Sequence, residues 1–237
     1  MKLKGTIHQI SALSGAEKSR MFSLMCSHYE NVSQRKFLND LDEKTGVILL
    51  RDPTGTVQGF TTFLLMGHEH NTGIISAIYS GDTIVDRLCW GQIELFRMFG
   101  GLFRQCLEQQ STPVYWFLLS KGVKTYLMLP LFFQNFYPNY LAEAPLNTQK
   151  LMQELARKKF GPCYHHEQGI VRMIPQADRL QKEFAVIPEN KRQNPHVRFF
   201  TERNPGYLDG DELVCLARIV PSNFTRMAQR FVKENNR

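Results

Sequence analysis

Two apolar runs, "GVILLRD" (residues 46–52) and "VQGFTTFLLM" (residues 57–66), flank the stretch Asp52-Pro53-Thr54-Gly55. Proline at the second position of a turn presets φ, and glycine is favoured at the fourth. Runs rich in Val, Ile, Leu and Phe that are bounded by such residues read as strands. A third strand, "TGIISAIYS" (residues 72–80), follows the short polar loop "GHEHN". Three consecutive strands with short connections make an antiparallel meander, and the rest of the chain has to pack around it.

Helical signals precede and follow the meander. Ser14 with Glu17 three residues later reads as a capping box that opens a helix, with Met21, Leu24, Met25 and Tyr29 on one face. "SQRKFLNDLDEKT" is a second helical piece, separate or a continuation of the first. From about Asp86 to Gln110 the period is helical, with Ile93, Phe96, Phe99, Leu102, Phe103 and Cys106 as the apolar stripe. Gly100 and Gly101 inside it each cost about 1 kcal/mol relative to Ala, so a kink or close packing is expected there. "PVYWFLL" is a buried strand, and Lys121 to about Asn135 reads as a further helix. The order β-β-β-α-β-α indicates an α/β or α+β fold, with a mixed, mostly antiparallel central sheet flanked by helices.

The last third carries fewer signals. "NTQKLMQELARKKFG" is a helix stopped by Gly161, "GIVRMI" a strand, "HVRFF" a possible strand and "DELVCLARIV" a last strand. "SNFTRMAQRFVKENN" is a last helix capped by Ser222. Residues 1–237 are read as one continuous domain, with 141–237 as an elaboration.

Charge and cysteines narrow the function classes. The formal net charge is +7, unevenly placed, with +2 on residues 1–140 and +5 on residues 141–237. Such a balance suits anionic cofactors or an acidic carrier protein. Nucleic acid is not expected, because no Lys/Arg run exceeds three residues and no zinc-finger spacing occurs. Five scattered cysteines without a C-x-x-C pair indicate reduced thiols and a cytoplasmic setting. No apolar run is long enough for a membrane span.

The stretch "YSGDTIVDRLCWGQ" (residues 79–92) takes the chain from a strand through Ser-Gly-Asp-Thr, read as a turn, towards a helix beginning near Arg87. Trp90 in it looks buried. Backbone N–H groups and the helix dipole at such a passage favour anions. Together with "TGVILLRDPTGTVQGFTTFLLM" and "YWFLLSKGVKTYLMLPLFFQNFYPN", it resembles the GNAT acyltransferase superfamily over about residues 15–140.

The resemblance implies an N-acyltransferase whose donor is acyl-coenzyme A or an acyl carrier protein thioester, with no metal. The acceptor would be an amine of a peptide or small molecule, faced by residues 141–237. Cofactor-side positions would be Ile78, Tyr79 and Ser80 at the splaying strand end, with Arg87, Trp90, Gly91 and Ser120. Asp82 would be the general base; the same residue also suits an Asx-turn or N-cap. Tyr126 or Tyr137 would protonate the leaving thiolate. The letters depart from the family's [RQ]-x-x-G-x-[GA] signature, for Leu88 and Ile93 stand at its outer positions and only Gly91 fits. A GNAT-shaped binding module without catalysis is the alternative.

Other clusters have two readings each. Tyr126, Phe132, Phe133, Phe136, Tyr137 and Tyr140 form either core or the wall of an acyl tunnel, and the second reading favours a fatty acyl group. His68 and His70 are acceptor-site candidates or solvated loop residues. Cys163, His165, His166 and Glu167 invite a metal reading, but neighbouring strand histidines point apart. Asp209, Asp211 and Glu212 form either an acidic lip for an amine or a solvated loop. Arg226, Arg230 and Lys233 on the last helix suit an acidic carrier, a membrane surface or plain solvent.

Overall fold

The Asp52–Gly55 turn closes as its sequence requires. Gly55 N–H donates to Asp52 O at 2.9 Å with φ +86°, and Asp52 Oδ1 accepts the N–H groups of Thr54 and Thr56. The computed structural model describes residues 2–71, 73–109, 111–172 and 178–233. In chain order it runs β1 (Lys4–Gln9), α1 (Gly15–His28), β2 (Tyr29–Glu30), α2 (Gln34–Asp42), β3 (Gly46–Arg51), β4 (Val57–His70) and β5 (Gly73–Val85). Then come α3 (Glu94–Gln109), β6 (Val114–Ser120), α4 (Val123–Tyr126), α5 (Met128–Phe132), α6 (Leu146–Phe160), β7 (Tyr164–His165) and β8 (Ile170–Val171). The chain ends with β9 (Arg179–Leu180), α7 (Lys182–Ala185), α8 (Glu189–Arg192), α9 (Pro195–Arg203), β10 (Glu212–Ile219) and α10 (Arg226–Lys233).

Eight strands form one sheet in the order β1-β3-β4-β5-β6-β10-β8-β7, while β2 and β9 pair separately. Every neighbouring pair is antiparallel except β5 and β6. The sheet is therefore mixed and mostly antiparallel, with helices on both faces. Successive residues of β3 divide between the faces, as a strand's period of two demands. Val47 and Leu49 meet Met21, Leu24, Phe37 and Leu41 of α1 and α2. Ile48 and Leu50 join the opposite cluster, built around Phe99, Phe103, Trp116, Phe132 and Phe133. Further along the first face, α6 lays Leu151 and Leu155 over Phe117, Leu119 and Val214.

The capping box at Ser14 is present, with Glu17 N–H donating to Ser14 Oγ and Ser14 N–H to Glu17 Oε2. Gly100 answers the close-packing expectation. A Cβ there would stand 2.6–2.8 Å from the Cβ and backbone of Phe231 in α10, so the two helices meet nearly backbone to backbone. Of the six aromatics between Tyr126 and Tyr140, Tyr126, Phe132, Phe133 and Phe136 are buried in the core.

Several elements differ from the sequence expectation. The N-terminal segment Lys4–Gln9 is an unanticipated edge strand, its residues exposed or half-buried and so without an apolar signature. Helix α2 is separate from α1, the two-residue strand β2 standing between them. The helix expected from Asp86 begins only at Glu94, and Arg87–Cys89 is a single 3₁₀ turn capped by Asp86. The Lys121–Asn135 helix is two short pieces, α4 and α5. "HVRFF" lies in α9, for Asn194 accepts from His196 N–H at 2.9 Å and Pro195 occupies the first helical position. Thr225, not Ser222, caps α10, its Oγ1 accepting from Ala228 N–H at 3.1 Å. Of "GIVRMI", only Ile170–Val171 is strand; Met173 and Ile174 lie outside the described residues. No described helix is long and apolar enough to cross a membrane.

Candidate functional site

The Ser80–Thr83 stretch is not a turn. It lies inside β5, which continues to Val85. Against β4, Ser80 faces Phe63 and Thr83 faces Thr61, so Gly81 and Asp82 together oppose Thr62. One extra residue on one strand is a β-bulge, a device that bends a strand and re-aims a side chain. Glycine is required at its first position. A Cβ on Gly81 would stand 2.4 Å from Thr62 Oγ1 and 2.8 Å from Lys44 Cε.

The bulge coincides with a second event. β5 and β6 run parallel in register from Ser76↔Val114 to Ser80↔Leu118 and pair no further. Beyond that point β5 keeps only β4 beside it, and a cleft opens between Thr83–Val85 and the Gly122–Thr125 segment after β6. This cleft measures about 460 Å³. Its walls include Cys89, Gly91, Leu95, Phe96 and Met128. A second cavity of about 240 Å³ surrounds Asp82, with Tyr79, Ser80, Gly81, Asp40, Lys121, Asp178 and Glu212 in its lining. Tyr29, Thr83 and Thr125 line both spaces and mark where they meet.

Burial pushes the Asp82 carboxyl up to about 7, with Asp40 adding to it and Lys121 opposing. Nearby, Lys121 Nζ binds Asp178 Oδ2 at 2.7 Å and Glu212 Oε1 at 3.5 Å, all three side chains less than a fifth exposed. Burial works against the Lys121 charge, but Glu212 and Asp178 hold the ammonium above its ordinary range. Asp178 also receives Lys36 at 2.8 Å; against burial, Lys121 and Lys36 keep its carboxyl low. Glu212 is raised, chiefly by burial. Lys44, its side chain fully buried under the bulge, pairs with Asp40 at 2.5 Å. Desolvation lifts the Tyr29 phenol well above its usual value. Its ring lies 5.3 Å from Lys121 Nζ.

The structure gathers only some of the sequence candidates here. Asp82, Tyr79 and Ser80 line the smaller cavity, and Trp90 and Gly91 line the cleft. Ile78, Tyr79 and Ser80 are paired on both edges, to Leu65, Leu64 and Phe63 and to Trp116, Phe117 and Leu118. They therefore have no free edge to offer, and the unpaired edge begins at Gly81. Ser80 Oγ is bound by the Trp116 indole N–H. Ile78 is core. Trp90 is 41% exposed rather than buried; its indole N–H donates to Val85 O at 2.8 Å and Lys124 Nζ stands 3.1 Å from its ring centroid. Arg87 is exposed and pairs with Glu183 at 3.1 Å, seven residues before α3 starts. Ser120 is fully buried, its hydroxyl 3.8 Å from Cys215 Sγ.

Neither expected tyrosine reaches Asp82. Tyr126 is fully buried among Phe136, Phe199 and Phe200, and its hydroxyl donates to Pro138 O at 2.9 Å. Tyr137 bridges to Leu216 on the outer edge of β10 and lines a different cavity. None of the six aromatics between Tyr126 and Tyr140 lines the cleft or the Asp82 cavity. His68 and His70 converge on Glu154 Oε2 at 2.9 and 2.8 Å, at the far end of β4. Asp211 is taken by Arg172, at 2.8 Å. Among the described residues no group of three or more His, Cys, Asp or Glu is placed to hold a metal ion.

Sequence reasoning missed Tyr29, Lys121 and Asp178 as site residues. Tyr29 carried the period of a helix face, and Asp178 follows a loop with no motif. Lys121 could have been found: a lysine directly after a strand as apolar as "YWFLL" sits where a sheet meets its cleft.

The sequence matches no protein-family model and no curated protein. Solved structures similar to the chain include a probable N-acyltransferase of unknown function from Enterococcus faecalis, at 10% identity and TM-score 0.43, covering 57% of this chain and 33% of that one. Another is the GNAT family N-acetyltransferase YhbS of Escherichia coli in complex with CoA, at 17% and 0.37, covering 51% and 65%. A third is an acetyltransferase of Trypanosoma brucei, at 15% and 0.40, covering 61% and 99%. The chain thus spans about a third of the first and just under two thirds of the second. Likeness this distant leaves the chemistry to be argued from the side chains.

Proposed function

We propose that the chain is a GNAT-type N-acyltransferase that moves an acyl group from a phosphopantetheine-type thioester to an amine. One observation carries the reading: β5 leaves β6 at the residue where it bulges, so a donor cleft and a half-buried carboxylate meet at one point. The thioester would enter between β5 and α4, its carbonyl facing the unpaired edge of Gly81–Val85. Backbone N–H groups aimed at a developing oxyanion in a dry site are worth several kcal/mol, about 2.7–4 for one donor. The amine would approach through the smaller cavity, and Asp82 would take its proton. A carboxyl near 7 suits that task better than an ordinary one, because a base works best when its pKa lies near ambient pH.

Tyr29 takes the place assigned to Tyr126 or Tyr137. It lines both spaces, and its hydroxyl has no hydrogen-bond partner among the described residues. A phenol kept protonated by burial is suited to protonating a departing thiolate. Residues 141–237 would form the acceptor wall, since Asp178 and Glu212 come from that part of the chain. The acyl length stays open on this reading, since four of the six aromatics weighed as a tunnel wall pack in the core and none lines the cleft. One observation favours the non-catalytic alternative: Leu180 and Phe184 reach into the cleft from the C-terminal part, narrowing it.

Thiol release from acyl-pantetheines of increasing chain length, with a panel of amines, tests the proposal. Asp82→Asn should lower turnover about 10²–10⁴-fold while thioester affinity stays within about twofold. The wild-type rate should rise with pH to a plateau above about 7 as Asp82 ionises. Thioester binding with no release for any amine would select the binding module, and equal turnover in Asp82→Asn would remove Asp82 from the chemistry.

A further inference from the structure

The turn between β5 and α3 presents more apolar surface than a connector needs. Leu88 is 92% exposed and Ile93 51%, on either side of the 41%-exposed Trp90. Large apolar side chains gathered on one outward turn mark a contact surface on a water-soluble face. The turn sits at the mouth of the donor cleft, which Trp90, Gly91 and Gln92 help to line.

The surroundings are positive. Lys124 and Lys191 line the same mouth, and neither has an ion-pair partner among the described residues. Lys124 lies over Trp90, and Arg87 adjoins Leu88 in an exposed pair with Glu183, a kind of pair that exchanges partners at little cost. The two carboxylates close by, Asp86 and Glu183, are turned to arginines of this chain, Arg20 at 3.8 Å and Arg87.

The start of α3, by contrast, is poorly built for a nucleotide's pyrophosphate. Its first turn carries a carboxylate, Glu94, which already binds Gly5 N–H at 2.8 Å and Arg97 at 3.2 Å. Gln92 Oε1 is taken by Leu3 N–H, and what α3 turns to the cleft is Leu95 and Phe96. An anion gains from a helix N-terminus when no carboxylate competes for it; here Glu94 stands in the first turn.

We infer that the 86–93 turn docks an acidic carrier protein that presents the acyl group on a phosphopantetheine arm, with Leu88, Trp90 and Ile93 as the apolar contact and Lys124, Lys191 and Arg87 facing its carboxylates and the arm's phosphate. The inference rests on the acyl-transfer reading of the cleft and adds the donor's identity to it. Charge complementarity of this kind speeds and orients docking, and it weakens with salt.

Three probes bearing one acyl chain test it by fluorescence anisotropy: S-acyl-pantetheine, acyl-coenzyme A and an acyl-loaded acidic carrier protein of fatty-acid synthesis. The loaded carrier is expected to bind at least tenfold tighter than acyl-coenzyme A, with an affinity that falls as salt rises. Leu88→Glu, a change at a nearly fully exposed position, is expected to weaken carrier binding at least tenfold and leave acyl-pantetheine within twofold. Acyl-coenzyme A binding as tightly as the carrier overturns the inference. So does an unchanged carrier affinity in Leu88→Glu, or a Leu88→Glu variant that loses only binding to phosphatidylserine vesicles. If acyl-pantetheine itself does not bind, the acyl-transfer reading fails first and this inference with it.

Discussion

β5 has two regimes along its length. From Ser76 to Ser80 it is hydrogen-bonded on both edges, and Ala77 to Ser80 are buried. From Gly81 to Val85 it has β4 on one side and a cleft on the other, and every residue but Ile84 is partly exposed. The first half is paired along both edges; the second has the free edge and the raised carboxylate. A rigid strand held on both sides fixes where the bulge occurs, and the bulge fixes where Asp82 points. On the proposed reading, stability and chemistry fall on consecutive residues of one strand, so substitutions in the two halves should produce opposite signatures.

The largest effect is expected in the paired half. Trp116 stands opposite Ile78 in the parallel register and is buried against Phe99, Phe103, Phe132 and Phe133. Its indole also holds Ser80 Oγ. Trp116→Ala leaves a large cavity and an unpaired hydroxyl, and should cost about 3–5 kcal/mol. Denaturant midpoints with an unchanged m-value would register it. A loss below about 1 kcal/mol would mean that the β5–β6 junction is not what holds the bulge in place.

Next in size is Lys121→Met, on the chemical side. It removes the cation between Asp178 and Glu212 and leaves two inward-facing carboxylates, a change that typically costs about 3–5 kcal/mol when a buried pair is broken. The pH dependence carries the distinguishing sign. In the wild type Asp178 is held below its unfolded value, so its stabilisation is present above pH about 4 and is lost as pH falls through the folded pKa. In Lys121→Met, Asp178 keeps only Lys36, so its carboxyl is held down less, and Glu212 is raised further. The difference between the two proteins should therefore be greatest near neutral pH and shrink below pH about 4. Melting temperatures across pH 3–8 would show it, and a constant gap would mean that Lys121 acts through packing alone.

The two halves of β5 were also unequally legible. "IISAIYS" announces a strand because its apolar content is what burial on both faces demands. "SGDT" announces a turn because its composition is that of turns. What overrides composition is β4: eleven partner pairs between the strands carry the ladder through Gly81 and Asp82, and a glycine marks the bulge. The same strength of tertiary context hides β1, whose half-polar residues are drawn into the sheet by β3. The meander, the capping box and the Gly100 contact were readable, since each depends on neighbours in sequence or on a single steric fact. The smaller cavity was readable at Tyr79, Ser80 and Asp82, and the cleft at Trp90 and Gly91. Tyr29, Lys121, Asp178 and Glu212 come from four separate segments, and no local pattern records that they meet. α9 was misread for a different reason: its Phe-rich face suggested a strand, although Asn194-Pro195 ahead of it is a helix start.

The smallest effect falls on the residue that divides the two regimes. Gly81→Ala puts a methyl group into the space between Thr62 Oγ1 and Lys44 Cε. The Lys44 side chain is fully buried and tied to Asp40, so it has little room to yield. Overpacking of this kind costs about 1–3 kcal/mol. The backbone relief it demands would also move Asp82, so turnover should fall further than stability does. Thr62→Ala removes the nearer obstacle. The double variant should then recover part of both losses, which makes the two changes non-additive, as expected of residues in contact. Strict additivity would mean that Lys44 Cε, rather than Thr62 Oγ1, sets the penalty.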